Sequence, residues 1–308
     1  MSQKHEGWGW MLAVDFFFAG MGGAMLVIAG IVDLFAGEGR TSVLGSFLGS
    51  AFMALGSGLL ILELGRPLQS WRVFMNPKAI LTVGAWVMSL AICAGLAYTT
   101  FSFAVFPWSG ATIFRKLVAI FLIPAGLVVA TYPGILLGRH KGRPFWVGPG
   151  MTSLFVLSSF VTAFAAQSLS AMIVAPAASG EVVKSFPAII AALLAVQSLL
   201  WFSYLWVKRS GATEGEAAAA EKWIGGAYSA VFKYGFILAG TLVPLILVLL
   251  PTAFLQAAGA VLVLAGGLIM RTLVVYAGGD RTWLPGELKY RSRLPLGDEP
   301  FLQAWKSK

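Results

Sequence analysis

Apolar residues in this chain do not recur at the 3.6-residue period of an amphipathic surface helix. They come in unbroken runs at about 8–35, 43–63, 79–107, 113–138, 151–175, 186–207, 227–250 and 253–278, separated by short polar or glycine- and proline-containing stretches. A helix crossing a hydrocarbon core of roughly 30 Å needs about 20 apolar residues, and each run reaches that length. A membrane β-barrel would instead show short segments of alternating polarity, and none occur. The pattern therefore predicts an all-α integral membrane protein with eight transmembrane helices over 1–278, arranged as two four-helix bundles. A polar C-terminal tail, 279–308, follows and is expected to contact a partner subunit. The first run carries Asp15 and lacks a strong basic flank, so it reads as a retained helix rather than a cleaved leader. The longest interruption, about 208–225 with ATEGEAAAAEK, reads as a short exposed helix or linker.

Composition agrees with the pattern: 58% of the 308 residues are hydrophobic and 11% charged. A single cysteine, Cys93, leaves no disulfide framework and no thiolate set for zinc or an iron–sulfur cluster. The two histidines, His5 and His140, fall outside the runs, so no haem is expected between helices. The net charge of +9 reports topology rather than nucleic-acid binding. With eight crossings, both termini share one side with the loops after the second, fourth and sixth helices. Sixteen of the 22 lysines and arginines lie there, against four (Arg40, Arg115, Lys116, Lys184) on the other side. The positive-inside rule makes that basic face cytoplasmic, which places the chain in the cytoplasmic membrane with both termini inside.

The same threading fixes the depth of each polar group within a run. Asp15 lies about seven residues into the first helix from the basic face, and Glu63 ends the second there. Tyr132 is about six residues short of the end of the fourth, Lys233 is near the start of the seventh, and Arg271 is about seven residues from the end of the eighth. At about 1.5 Å per residue these groups share one layer within roughly 10 Å of the basic face. Ionisable groups at such depth are costly, so they pair, face the bundle interior or line a site. The stretch LELGRP sets Glu63 and Arg66 one turn apart beside that layer. Pro133-Gly134 follows Tyr132 and suits a helix that lines a cavity. The run AGMGGA (19–24) is a surface for close helix approach, and Asp33, at the far face, reads as a solvated helix end. There is no Walker motif and no dinucleotide fingerprint. An amphiphilic small molecule carrying its own electrons and protons would suit a polar pocket just inside one face.

Four segments resemble a known family. LELGRPLQSWRVFMNPKAILTVGAW, WGWMLAVDFFFAGMGGA from Trp8, TYPGILLGRHKGRPFW from Thr131, and GGLIMRTLVVYAGG with the tail LPGELKYRSRLPLGDEPFL are similar to the NrfD/PsrC family of polysulfide- and nitrite-reductase membrane subunits. The resemblance implies a quinone-reacting anchor, using menaquinone or ubiquinone. Its partners would be an iron–sulfur subunit and a catalytic subunit holding a molybdenum or tungsten pterin. It implies that Asp15 and Tyr132 face the quinone ring, with Leu12, Leu64 and Gly65 beside it. Asp15 would exchange protons, with Glu63 and Arg66 passing them to water or holding the loop against the partner, and with Lys233 and Arg271 in support, Arg271 balancing Asp15. Some family members have histidine where this chain has Asp15 and an amide-bearing residue at Leu12. Because the charge count puts the layer in the cytoplasm, a cytoplasm-facing formate or sulfite dehydrogenase type is expected over a periplasmic polysulfide reductase.

Other classes compete with this reading. A secondary transporter would use broken helices near the midplane, for which Pro124, Pro133 and Pro244 give openings, yet the ionisable groups gather at one face. A retinal protein would need a lysine deep in a late helix, and Lys233 is near a helix end. An electron-inactive tether differs by predicting no effect of quinone.

Overall fold

A computed structural model describes residues 9–279, apart from 64–66, 76–79, 141, 149, 179 and 212. The described residues fold as helices: α1 (Trp10–Phe35), α2 (Val43–Glu63), a 3₁₀ segment (Pro67–Met75), α3 (Ile80–Thr100), α4 (Thr112–Gly138) and α5 (Gly150–Ile173). There follow a single turn α6 (Glu181–Lys184), α7 (Phe186–Arg209), α8 (Glu214–Ile224), a π-helix (Val231–Leu242) running into α9 (Val243–Leu247), and α10 (Ala253–Ala277). Helices are the form in which a single segment satisfies its own backbone within lipid. Seven of them are long and apolar enough to cross a membrane, which makes this a multi-pass membrane protein. Where an eighth span was expected at 227–250, the apolar helix is Val231–Leu247, shorter than the others.

That shorter helix is wound differently. From Val231 to Leu242 it follows the π register, and Thr241 donates from Oγ1 to the Phe236 carbonyl, five residues back, at 2.9 Å. Pro244 follows at once, a residue without an N–H to continue an α ladder. Opposite it, Gly240 and Gly266 let the helix and α10 touch backbone to backbone: a Cβ on Gly240 would lie 2.5 Å from the Gly266 Cα.

α1 is the central helix. In its most apolar stretch 83% of residues are buried, against 33% in α2 and in α3, and it packs on α2, α4, α5 and α10. The glycine run makes this possible. A Cβ on Gly22 would collide with the Gly49 carbonyl oxygen of α2, and one on Gly23 would sit 2.8 Å from that of Gly126 in α4. With no lipid-driven hydrophobic force between helices, such backbone-close contacts supply the packing.

Both ends are tied by polar contacts. At the far face Asp33 is buried, 4% exposed, and pairs at 3.2 Å with the equally buried Arg115 of α4, which also pairs with Glu38. Asp33 is thus a bridge between α1 and α4, and the expectation of a solvated helix end is corrected: Arg115 sits in the first turn of α4 and reaches back to it. At the basic face Lys208, near the end of α7, donates from Nζ to the carbonyls of Pro144 (2.9 Å) and Val147 (2.7 Å) and pairs with Glu216 of α8 at 2.6 Å. The Tyr204 hydroxyl donates to the Phe145 carbonyl, and the Trp146 indole donates to Val274 O at 2.6 Å. The loop after α4 is thereby pinned to α7, α8 and α10, over a stack that includes Phe145 and Trp223 with centroids 4.4 Å apart.

Candidate functional site

α1 and α4 run in opposite directions, so residues near the start of one meet residues near the end of the other. Asp15 is five residues into α1 and Tyr132 six residues from the end of α4. At about 1.5 Å per residue both lie roughly 8–9 Å from the basic end of their helix. Asp15 is 3% exposed, and the two side chains are within electrostatic reach of each other.

The neighbouring helices leave room where these groups project. On α2, a Cβ added to Gly56 would stand 2.9 Å from Asp15 Oδ1 and 3.2 Å from its carbonyl oxygen. On α3, a Cβ added to Gly84 would stand 2.6 Å from Cε2 and 2.8 Å from Cζ of Tyr132. The tyrosine ring therefore lies directly on the backbone of α3. Its hydroxyl is buried and meets no hydrogen-bond partner among the described residues. A buried hydroxyl without a partner costs about 1–3 kcal/mol, so its position calls for an acceptor supplied from elsewhere. Behind Tyr132, Pro133 and Gly134 bring α4 close to α5, with a Gly134 Cβ position 2.5 Å from the Thr152 Cα.

Leu12, one turn before Asp15, is 7% exposed and belongs to the apolar cluster that includes Ala13, Phe16, Leu137 and Met270. It walls the site rather than offering a polar group. Of the LELGRP residues, Leu64, Gly65 and Arg66 lie outside the described residues, as does the side chain of Glu63. Beyond them, the 3₁₀ segment is held to α3 by Thr82, whose Oγ1 donates to Val73 O at 2.6 Å.

The two residues expected in support are placed differently from each other. Lys233 is exposed, on a face of the π-helix turned away from the bundle interior, where its ammonium can snorkel. Arg271 is fully buried, but its partners are neutral oxygens: Nε donates to Phe16 O (3.0 Å), Nη1 to Ser158 Oγ (2.9 Å) and Gly267 O (3.3 Å), and Nη2 to Ser159 Oγ (3.0 Å). Its guanidinium also lies 5.6 Å from the ring centres of Phe17 and Phe155. Its grip on the carbonyl of the residue after Asp15 ties α10 and α5 to that turn of α1, so it fixes the turn's orientation instead of neutralising the carboxylate by contact.

The family model described as "Polysulphide reductase, NrfD" matches residues 2–280. The chain belongs to the NrfD family. Among curated proteins, the C subunit of polysulfide reductase from Wolinella succinogenes is 26% identical over 310 residues, covering 88% of this chain and 94% of that relative. The family match takes in every helix that carries the Asp15–Tyr132 layer. Among the described residues the body is helical throughout its regular structure and multi-pass.

Nothing in the sequence marks Gly56 and Gly84 as the residues facing Asp15 and Tyr132. A glycine in an apolar run looks the same whether it faces lipid, a neighbouring helix or a reactive group.

Proposed function

We propose that this chain is the quinone-reactive membrane subunit of a multi-subunit oxidoreductase. It passes electrons and protons between membrane quinone, menaquinone or ubiquinone, and an iron–sulfur subunit docked on the basic face, which in turn serves a molybdenum or tungsten pterin subunit. The name of the Wolinella succinogenes relative, one lettered component of a polysulfide reductase, supports a place within such a complex. The charge distribution favours a cytoplasmic partner, of formate or sulfite dehydrogenase type. Eight crossings in two sets of four, with Val231–Leu247 as the seventh, is the topology that goes with this reading.

One observation carries it: a buried tyrosine hydroxyl without a protein partner among the described residues, next to a buried carboxylate, under helices that present no Cβ there. The residues fit a quinone ring. A bound quinone supplies the two-electron, two-proton couple that the chain itself lacks. Tyr132 donates a hydrogen bond to a ring oxygen and orients it. Asp15 takes up or gives back a proton at its carboxylate. Leu12 and Phe16 exclude water, which strengthens both polar contacts. Glu63 and Arg66 pass protons to solvent or hold the loop against the partner.

The test is quinol-linked turnover by the intact complex carrying Asp15→Asn. General acid–base groups contribute about 10²–10⁴-fold, so turnover should fall at least about 100-fold, with subunit assembly and turnover by artificial electron donors to the catalytic subunit retained. Unchanged quinol turnover would remove Asp15 from the chemistry and leave a tether.

A further inference from the structure

Four helices bring a side chain to one depth near the basic face. Asp15 is five residues into α1 and Phe155 five residues into α5, while Tyr132 and Arg271 lie six residues before the ends of α4 and α10. At about 1.5 Å per residue all four stand roughly 8–9 Å from that face. Phe155 brings no polar group to this layer, yet it is 0% exposed, on a helix that packs on α1, α4 and α10. Toward α1, its ring meets that of Phe16, the residue after Asp15, edge to face, with centres 6.0 Å apart and planes at 85°. That is a favoured arrangement of two aromatic quadrupoles. Toward α4, its Cβ would lie 3.2 Å from a Cβ built on Gly134, two residues after Tyr132. Toward α10, the Arg271 guanidinium lies 5.6 Å from its ring centre. The same guanidinium donates from Nη2 to Ser159 Oγ at 3.0 Å, and that hydroxyl donates to the Phe155 carbonyl at 2.8 Å. Three neighbouring helices thus fix one ring.

From this junction we infer that Phe155 is a positioning residue, which sets the separation between the α1 turn carrying Asp15 and the α4 turn carrying Tyr132. It acts through Phe16 on one side and through the α4 backbone at Gly134 on the other, with Arg271 and Ser159 holding the wedge from behind. Close-packed interiors pass a displacement on instead of absorbing it, so a smaller side chain at 155 lets the two turns drift. The helix that spaces the site is one that supplies no reacting group to it. This inference rests on the quinone reading of the site.

The experiment measures turnover of the intact complex with a soluble naphthoquinol, alongside turnover with artificial electron donors to the catalytic subunit. In the unsubstituted complex, Tyr132→Phe should raise the quinol KM about tenfold through loss of one well-placed hydrogen bond. Phe155→Leu should lower kcat about tenfold, since a misplacement of about 1 Å can cost as much as about 100-fold. With the hydroxyl out of reach, adding Tyr132→Phe should then change KM less than about twofold, the non-additivity of coupled sites. Phe186→Leu is the control, a ring 1% exposed at the opposite face, in the first turn of α7. It should lower the thermal midpoint as Phe155→Leu does and leave the tenfold effect of Tyr132→Phe intact. Ser159→Ala, which unties Arg271 from the Phe155 carbonyl while keeping the ring, should reduce that effect to about threefold, and it decides the matter if Phe155→Leu does not assemble. An effect of Tyr132→Phe that stays near tenfold in both variants would overturn the positioning role and leave Phe155 an ordinary buried ring. If the unsubstituted complex turns over with artificial donors but not with the naphthoquinol, the quinone reading itself falls.

Discussion

At Tyr132 the decisive neighbour is an absent side chain. Because its ring lies on the Gly84 backbone, Gly84→Ala must push the ring aside and move the hydroxyl from its acceptor. A hydrogen bond is worth about 0.5–1.5 kcal/mol net, so quinol KM should rise about tenfold with kcat largely kept. In a Tyr132→Phe background the same change should add little, since the hydroxyl it acts through is gone. Gly58, on α2, is the control: nothing lies within 4 Å of a Cβ built there. Gly58→Ala should leave kinetics unchanged and slightly favour the helix. Steady-state kinetics of the four variants checks the set, and additive losses for Gly84→Ala and Tyr132→Phe would break the proposed link. Asp15 and Tyr132 are legible in the sequence because a polar group in a long apolar run is conspicuous and its depth can be counted. Lys233 shows the limit of that counting. It gives depth along a helix but not the direction a side chain faces, and Lys233 faces outward while Arg271, at similar depth, faces in.

At the level of elements, the loop after α4 depends on one lysine. Lys208 is 6% exposed, satisfies two loop carbonyls and pairs with Glu216. Lys208→Met leaves Glu216 and two carbonyls short of a partner, and a buried polar group left without its hydrogen bond costs about 1–3 kcal/mol. A lowered midpoint in thermal unfolding of the purified complex, with faster proteolysis between residues 139 and 149, is the expected outcome. Adding Glu216→Gln should recover part of the loss, because the uncompensated carboxylate is removed. The sequence presents Lys208 as one of several charges at a helix end, and nothing local separates a buried latch from a solvated charge. The same ambiguity hides the Asp33–Arg115 bridge. The apolar runs announce most of the long helices because length alone decides a span. The π winding before Pro244 leaves no such mark in the apolar run.

For the whole molecule, orientation is the property that the basic loops predict and that labelling can decide. Cys93 is the single cysteine, so Cys93→Ser gives a clean background. In it, Ser210→Cys on the basic face should react with a membrane-impermeant maleimide only from the cytoplasmic side. Gly110→Cys, in the exposed turn before α4, should react only from outside. The reverse pattern would place the Asp15 layer, and any docked electron-transfer subunit, outside the cytoplasm.

The shallow placement of Asp15 and Tyr132, about 8–9 Å along helices that cross some 30 Å of hydrocarbon, also sets how strongly this chemistry feels the transmembrane voltage. A full crossing costs about 2.3 kcal/mol per charge for each 100 mV. A proton exchanged between Asp15 and the nearer face traverses less than about a third of that field, or roughly 0.7 kcal/mol. Turnover served from that face should therefore change only a few-fold when the membrane is energised, and the subunit would behave as an almost electrically silent tap on the quinone pool.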